Sequence, residues 1–179
     1  NSIKDKIAKY LTLPHKFHCV TDKPVKEYDL PIKHSVLKGM FIKMSLFEYT
    51  GKCLYFDIDA EINENIDFLA DDFTGLTLLD STKWKEKQSD LKFKLNNNTF
   101  INTSIMRWSD QRQIFKKFML KRDMYLRIYQ ATDRFIYNEG FDHKCFNMDK
   151  ISSWQEQVDY NSIMLYNGKY NNELQPRHN

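Results

Sequence analysis

The stretch YFDIDAE at 55–61 sets carboxylates at every second position, Asp57, Asp59 and Glu61. Alternate residues of an extended chain share one face. Paired carboxylates on a strand, with a third acid nearby, are how polymerase- and primase-like sites hold two metal ions. A strand with one wetted face reads the same way without any chemistry. The five histidines, His15, His18, His34, His143 and His178, suggest no metal site. His15 and His18 are three apart at a predicted strand start and point to opposite faces, and His143 beside Cys145 has no obvious partner. No Gly-x-Ser-x-Gly marks a serine nucleophile. The chain has only five glycines and no phosphate-cradling loop, which counts against nucleotide enzymes.

These residues sit in a chain of 179 residues with 41% hydrophobic and 15% aromatic content, enough for a substantial core in a single domain. The net charge is +3 and the basic residues are spread out, in clusters no larger than Lys116–Lys117 and Lys121–Arg122. A nucleic-acid binder concentrates them among aromatics, so no nucleic-acid partner is expected. No apolar run approaches the ~18 residues of a membrane span. Cys19, Cys53 and Cys145 match no zinc-ribbon or CxxC spacing. Three buried thiols, or one disulfide and one leftover thiol, fit equally well.

The patterning predicts α and β elements in mixed order. Residues 16–21 read as a short strand, and apolar residues recur at helical spacing from Val36 to Phe47, ending at Gly51. Alternation predicts a strand over 53–59, then an acidic loop over 60–75. Short strands follow at 76–79 and 91–95, with a turn at Asn96–Asn98. Ile105, Trp108, Phe115, Phe118 and Met119 share a helical face, which predicts a helix over 103–120 capped by Thr103 or Ser104. Residues 124–129 read as extended, and the remainder as short helices and turns.

Four pieces in this order resemble the astacin family of zinc metallopeptidases. KYLTLPHKF at 9–17 is similar to the family's opening. VLKGMFIKMSLFEYTGKCLYF at 36–56 is similar to its first helix and following cysteine, at Cys53. KRDMYLRIY at 121–129 is similar to its Arg-Asp-x-Tyr segment. DYNSIMLY at 159–166 is similar to its Met-turn, with Ser162, Met164 and Tyr166 matching and Leu165 replacing the usual histidine.

The resemblance implies an α+β, two-lobed zincin fold with a twisted small sheet, two long helices and an irregular C-terminal lobe. It makes 1–179 one astacin-like domain, with an N-terminal lobe to about 120 and a C-terminal lobe over about 121–179, open to truncation. The family's HExxHxxGxxH window falls on 105–115, where the ligand positions hold Ile105, Ser109 and Phe115, the glutamate position holds Met106 and the turn glycine is Arg112. Ile and Phe offer zinc no lone pair and Met is no general base, so the expected cofactor is none, zinc included.

The expectation is therefore a catalytically inactive pseudoprotease, secreted as the family is, that binds a protein or peptide partner. Secretion would give meaning to the glycosylation sequons at Asn97 and Asn102, while the disulfide pairing stays open, because the family partner of Cys53 lies further C-terminal than this chain reaches. Two alternatives stand beside it: an active metallopeptidase with an atypical site, and an unrelated α+β interaction subunit.

Overall fold

The computed structural model describes residues 2–37, 39–85, 99–156, 158 and 160–166. Its largest sheet has four strands in the order β3 (Lys52–Phe56), β6 (Ile101–Ser109), β5 (Leu76–Asp80) and β7 (Lys144–Cys145). β6 runs antiparallel to both β3 and β5, and β7 joins parallel at the β5 edge. A second sheet has the order β4 (Ala60–Ile62), β9 (Ile163–Leu165) and β8 (Ile151–Ser153). A parallel pair, β1 (Cys19–Thr21) and β2 (Asp29–Pro31), completes the described strands.

The helices are short. α1 (Ile3–Tyr10) starts on a reciprocal cap between Ser2 and Asp5 and packs on β4 through Ile7. α2 (Thr82–Lys85) follows β5. α3 (Arg112–Leu120), α4 (Arg122–Ile128) and α5 (Thr132–Asn138) lie consecutively after β6. Gly39–Glu48 winds as a 3₁₀ helix buried along most of its length, from Phe41 to Phe47.

Two apolar clusters flank the four-stranded sheet. Met106 and Trp108 of β6 and Leu76 and Leu78 of β5 face Phe41, Phe47, Ile114, Phe118 and Phe135. Ile105 and Leu79 face Ile7, Ile62, Leu69 and Trp84. Phe118 is wholly buried and stacks on Phe41 at 5.2 Å between centroids, with Phe135 edge-on at 5.1 Å.

Strands lie at Lys52–Phe56, where alternation predicts one over 53–59, and at Leu76–Asp80, where a short strand is expected over 76–79, but residues 57–59 form a turn instead. The helix expected over 103–120 does not form as one unit: Ile101–Ser109 is strand and the helix begins at Arg112. Ile105, Met106 and Ser109 therefore sit on the middle strand of a sheet, and only Phe115 of that set is helical. Residues 124–129, expected to be extended, belong mostly to α4, because Tyr125 and Tyr129 pack inward four residues apart. The acidic loop expected over 60–75 contains β4 and a 3₁₀ turn at Asp67–Leu69. The longest α-helix among the described residues has nine residues, so the two long zincin helices are not there. The strand at 91–95 and the turn at 96–98 fall outside the described residues, as does Asn97.

Candidate functional site

The site is built where β3 leaves the sheet. Asp57, the residue after the strand, donates its N–H to the Ser104 carbonyl at 2.7 Å. Its carbonyl accepts from Ala60 N at 3.2 Å, closing a four-residue turn. Ile58 stands at the apex, 91% exposed. Asp59 follows, its carbonyl accepting from Tyr166 N at 3.3 Å, and β4 begins at the next residue.

The two carboxylates of this turn have different surroundings. Asp57 is fully engaged: Lys43 Nζ donates to Oδ2 at 2.6 Å and Tyr55 Oη donates to Oδ1 at 2.5 Å. Lys43 also donates to the Thr103 carbonyl at 3.2 Å. Burial, then the Asp57 charge and its hydrogen bond, push the Tyr55 phenol far above the usual tyrosine range, so it stays protonated and donates. Asp59 is different, because its Oδ1 is buried and has no hydrogen-bond partner. Burial, and then the neighbouring Asp57 charge, raise its carboxyl above the usual range. A buried acceptor without a donor costs free energy and calls for an explanation.

A local distortion of β6 makes room for this arrangement. Leu78 pairs with Met106, but Leu79 pairs with Asn102, so residues 103–105 bulge out of the ladder with β5, while Ile105 keeps its pairing with Phe56 of β3. The Thr103 carbonyl in this stretch accepts from Lys43, while the Ser104 carbonyl accepts from Asp57 N as the β3–β6 pairing runs one residue past the strand. Bulges beside functional sites re-aim side chains in this way.

Glu61, the third acid of the alternating set, is drawn elsewhere. It accepts from Lys6 Nζ at 3.2 Å and Tyr166 Oη at 3.0 Å. No three His, Cys, Asp or Glu side chains among the described residues converge as a metal-holding group, so the two-metal constellation with a third carboxylate is not formed. Asp57 and Asp59 do come together in one turn. Only Asp59 offers an unused carboxylate oxygen there, since both oxygens of Asp57 are taken by Lys43 and Tyr55.

The other residues singled out in the sequence are placed as follows. Ser162, Met164 and Tyr166 lie on and beside β9, with Ser162 Oγ donating to Glu64 at 2.7 Å. Tyr166 reaches the Asp59 carbonyl and the Glu61 carboxylate, so the residues read as a Met-turn support the acidic turn instead. Asn102 is half-buried on β6, and its Oδ1 accepts from Ser104 N at 2.7 Å. His15 and His143 each bond a nearby carbonyl through Nδ1, and His34 meets Glu48 at 2.5 Å. Cys19, Cys53 and Cys145 are free thiols. Lys43 and Tyr55 were missed. The available signal was Lys43 itself, the single charge between Gly39 and Phe47 in an otherwise apolar run, since a charge carried into a core needs a partner.

No family model matches the sequence, and no curated protein matches it at a significant level. Among solved structures the fold matches the galactosyltransferase LgtC, crystallised with donor and acceptor sugar analogues. The match has a TM-score of 0.50 and 18% sequence identity, and covers 70% of this chain and 57% of that one. The chain thus spans a little over half the length of the structure it matches, and at this identity the likeness establishes the fold alone. It corrects the astacin expectation: the chain is a mixed α/β protein with a glycosyltransferase-like fold, not a zincin. The inactive, protein-binding pseudoprotease falls with that resemblance. So does the non-enzyme reading, which rested on the missing zinc motif. Secretion, implied by the resemblance alone, loses its basis. No helix among the described residues is long and apolar enough to cross a membrane.

Proposed function

We propose that the chain is a glycosyltransferase that moves a sugar from an activated donor to an acceptor hydroxyl, with the Asp57–Ala60 turn receiving the donor's leaving group. The observation that carries this reading is the buried, unpartnered Oδ1 of Asp59 at a strand end of a glycosyltransferase-like sheet. Transfer breaks the bond from the sugar's anomeric carbon to the leaving group and makes one to the acceptor oxygen, which gives up its proton. A donor that reacts readily needs a leaving group stable as an anion, and a phosphate-bearing group meets that need.

Two adjacent carboxylates alone would repel such an anion. Lys43 neutralises Asp57, while Asp59 remains without a cationic partner. Asp59, together with the donor's own phosphate oxygens, would hold a divalent cation, and that ion would offset the charge developing on the leaving oxygen. Lys43 and Tyr55 fix the orientation of Asp57, and the 103–105 bulge supplies the Thr103 carbonyl that holds Lys43. A phosphate gripped in this way needs no glycine-rich loop, which agrees with the scarcity of glycine.

The test is a panel of nucleotide sugars with Mg2+ or Mn2+, read as release of the nucleoside diphosphate. Asp59→Asn should cut the rate at least about a hundredfold, as losing a charge stabiliser does. A folded protein that neither binds nor cleaves any donor, or an Asp59→Asn variant that is as fast as the parent, would overturn the reading.

A further inference from the structure

We infer that the elbow between α3 and α4 is a docking surface for an anionic lipid bilayer. This inference is independent of the proposed transferase activity. Residues 112–128 carry six basic side chains against one acidic, five net positive charges in a chain whose total is +3, so the remaining residues have a net charge of −2. The same segment displays bare apolar side chains: Leu120 is 83% exposed, with Met124, Leu126 and Ile128 between 36 and 45%.

Lys116 and Leu120, four apart, share an exposed face of α3, and Met124, Arg127 and Ile128 share an exposed face of α4, with Lys121 exposed at the junction of the two helices. The opposite side of α3 and α4 is anchored in the core through Ile114, Phe118, Tyr125 and Tyr129. Three of the six cations are already used, Lys117 by Glu139 at 3.0 Å, Arg122 by Asp123 at 2.8 Å and Arg112 by the Glu48 carbonyl at 3.3 Å. Lys116, Lys121 and Arg127 are exposed and have no ion pair among the described residues. Asp123, the single acid, is neutralised by Arg122.

Exposed apolar residues interleaved with cations are costly on a free surface and suit the headgroup boundary of a membrane, where side chains bury and charges meet anionic lipid. Another protein's apolar groove would match the hydrophobic residues but not the excess of positive charge. No spanning helix is needed, because the elbow lies in the plane of the interface.

The experiment is flotation of the full chain with phosphatidylcholine vesicles, with and without phosphatidylglycerol. Binding is expected only with the anionic lipid and should weaken as salt rises. Lys121→Glu with Arg127→Glu should weaken it at least about tenfold. Leu120→Ser with Met124→Ser should weaken it comparably, with the circular dichroism spectrum unchanged. Val25→Ser, at an 87% exposed apolar residue elsewhere, should change nothing. A Met124→Trp reporter should shift its emission to the blue on binding. Equal binding to neutral vesicles, no binding, or indifference to both pairs of substitutions would overturn the proposal. So would a self-association that the Leu120 and Met124 substitutions abolish, which would make the face a contact between copies.

Discussion

Lys43→Met tests whether the buried ion pair organises the acidic turn. The Lys43 side chain is 10% exposed and the Asp57 side chain 20% exposed. Methionine keeps the length and most of the apolar stem, so the change removes little but the charge and two hydrogen bonds, to Asp57 and to the Thr103 carbonyl. Breaking a buried pair from one side costs about 3–5 kcal/mol, mostly because the remaining ion is left buried without compensation. Asp57 keeps the Tyr55 hydroxyl and some contact with water, which points to the lower end, about 3 kcal/mol. With a urea m-value of about 2 kcal/mol/M the unfolding midpoint should fall by roughly 1.5 M at constant slope. The double variant Lys43→Met with Asp57→Asn removes the stranded charge and should recover at least half of the loss. A midpoint shift under about 0.3 M, or a double variant less stable than Lys43→Met alone, would refute the argument that a stranded Asp57 charge is what costs stability.

The unpartnered Asp59 predicts an opposition between stability and function. Asp59→Asn should raise the melting temperature while slowing donor cleavage at least about a hundredfold, with a gain of no more than about 1 kcal/mol because solvent screens the half-exposed group. The Glu139 knot predicts the acid limb of stability. Burial raises this carboxyl, but hydrogen bonds from Lys117, Tyr129 and Tyr125 outweigh it, so its folded value lies below the unfolded one. Its contribution is complete above the ordinary carboxylate range and is lost as pH falls through the folded value. Glu139→Gln should therefore flatten the acid limb of a stability–pH curve. On the alkaline side, burial and then Glu139 push Tyr129 up to about 12. Its stabilisation is complete below the unfolded value of about 10 and fades as pH rises from there through 12, a loss that Tyr129→Phe should remove from the profile. Finally, Phe118→Ala should cost about 3–5 kcal/mol by chemical denaturation, since the ring is wholly buried between Phe41 and Phe135.

The sequence exposes one part of the site and conceals the rest. Alternation at 53–59 yields the strand, and the carboxylates of Asp57 and Asp59 stand out at its end. Their distinction lies in contacts no local pattern encodes. Lys43 reaches Asp57 across 14 positions and Tyr166 reaches Glu61 across 105. Glu61 looked like a third member of the acidic set because the period of two continues through it. The turn at Asp57–Ala60 breaks the strand between them, and Glu61 belongs to a different sheet.

The misread helix at 103–120 has a physical cause that also locates the site. β6 lies between two strands and between two apolar clusters, so both its faces are buried and it cannot show the apolar–polar alternation of a half-wetted strand. Its apolar residues Ile101, Ile105 and Trp108 fall at spacings of four and three, the signature of a helical face. That spacing arises because the bulge at 103–105 changes which face each position meets: Ile101 joins the cluster of Trp108, whereas Ile105 turns to the other side. A regular strand would keep residues 101 and 105 on the same face. The irregularity that disguises β6 as a helix therefore falls where the Thr103 carbonyl leaves β5 and takes Lys43, the partner of Asp57. Straightening it would return the Thr103 carbonyl to the β5 ladder and take from Lys43 one of its two hydrogen bonds beside the acidic turn.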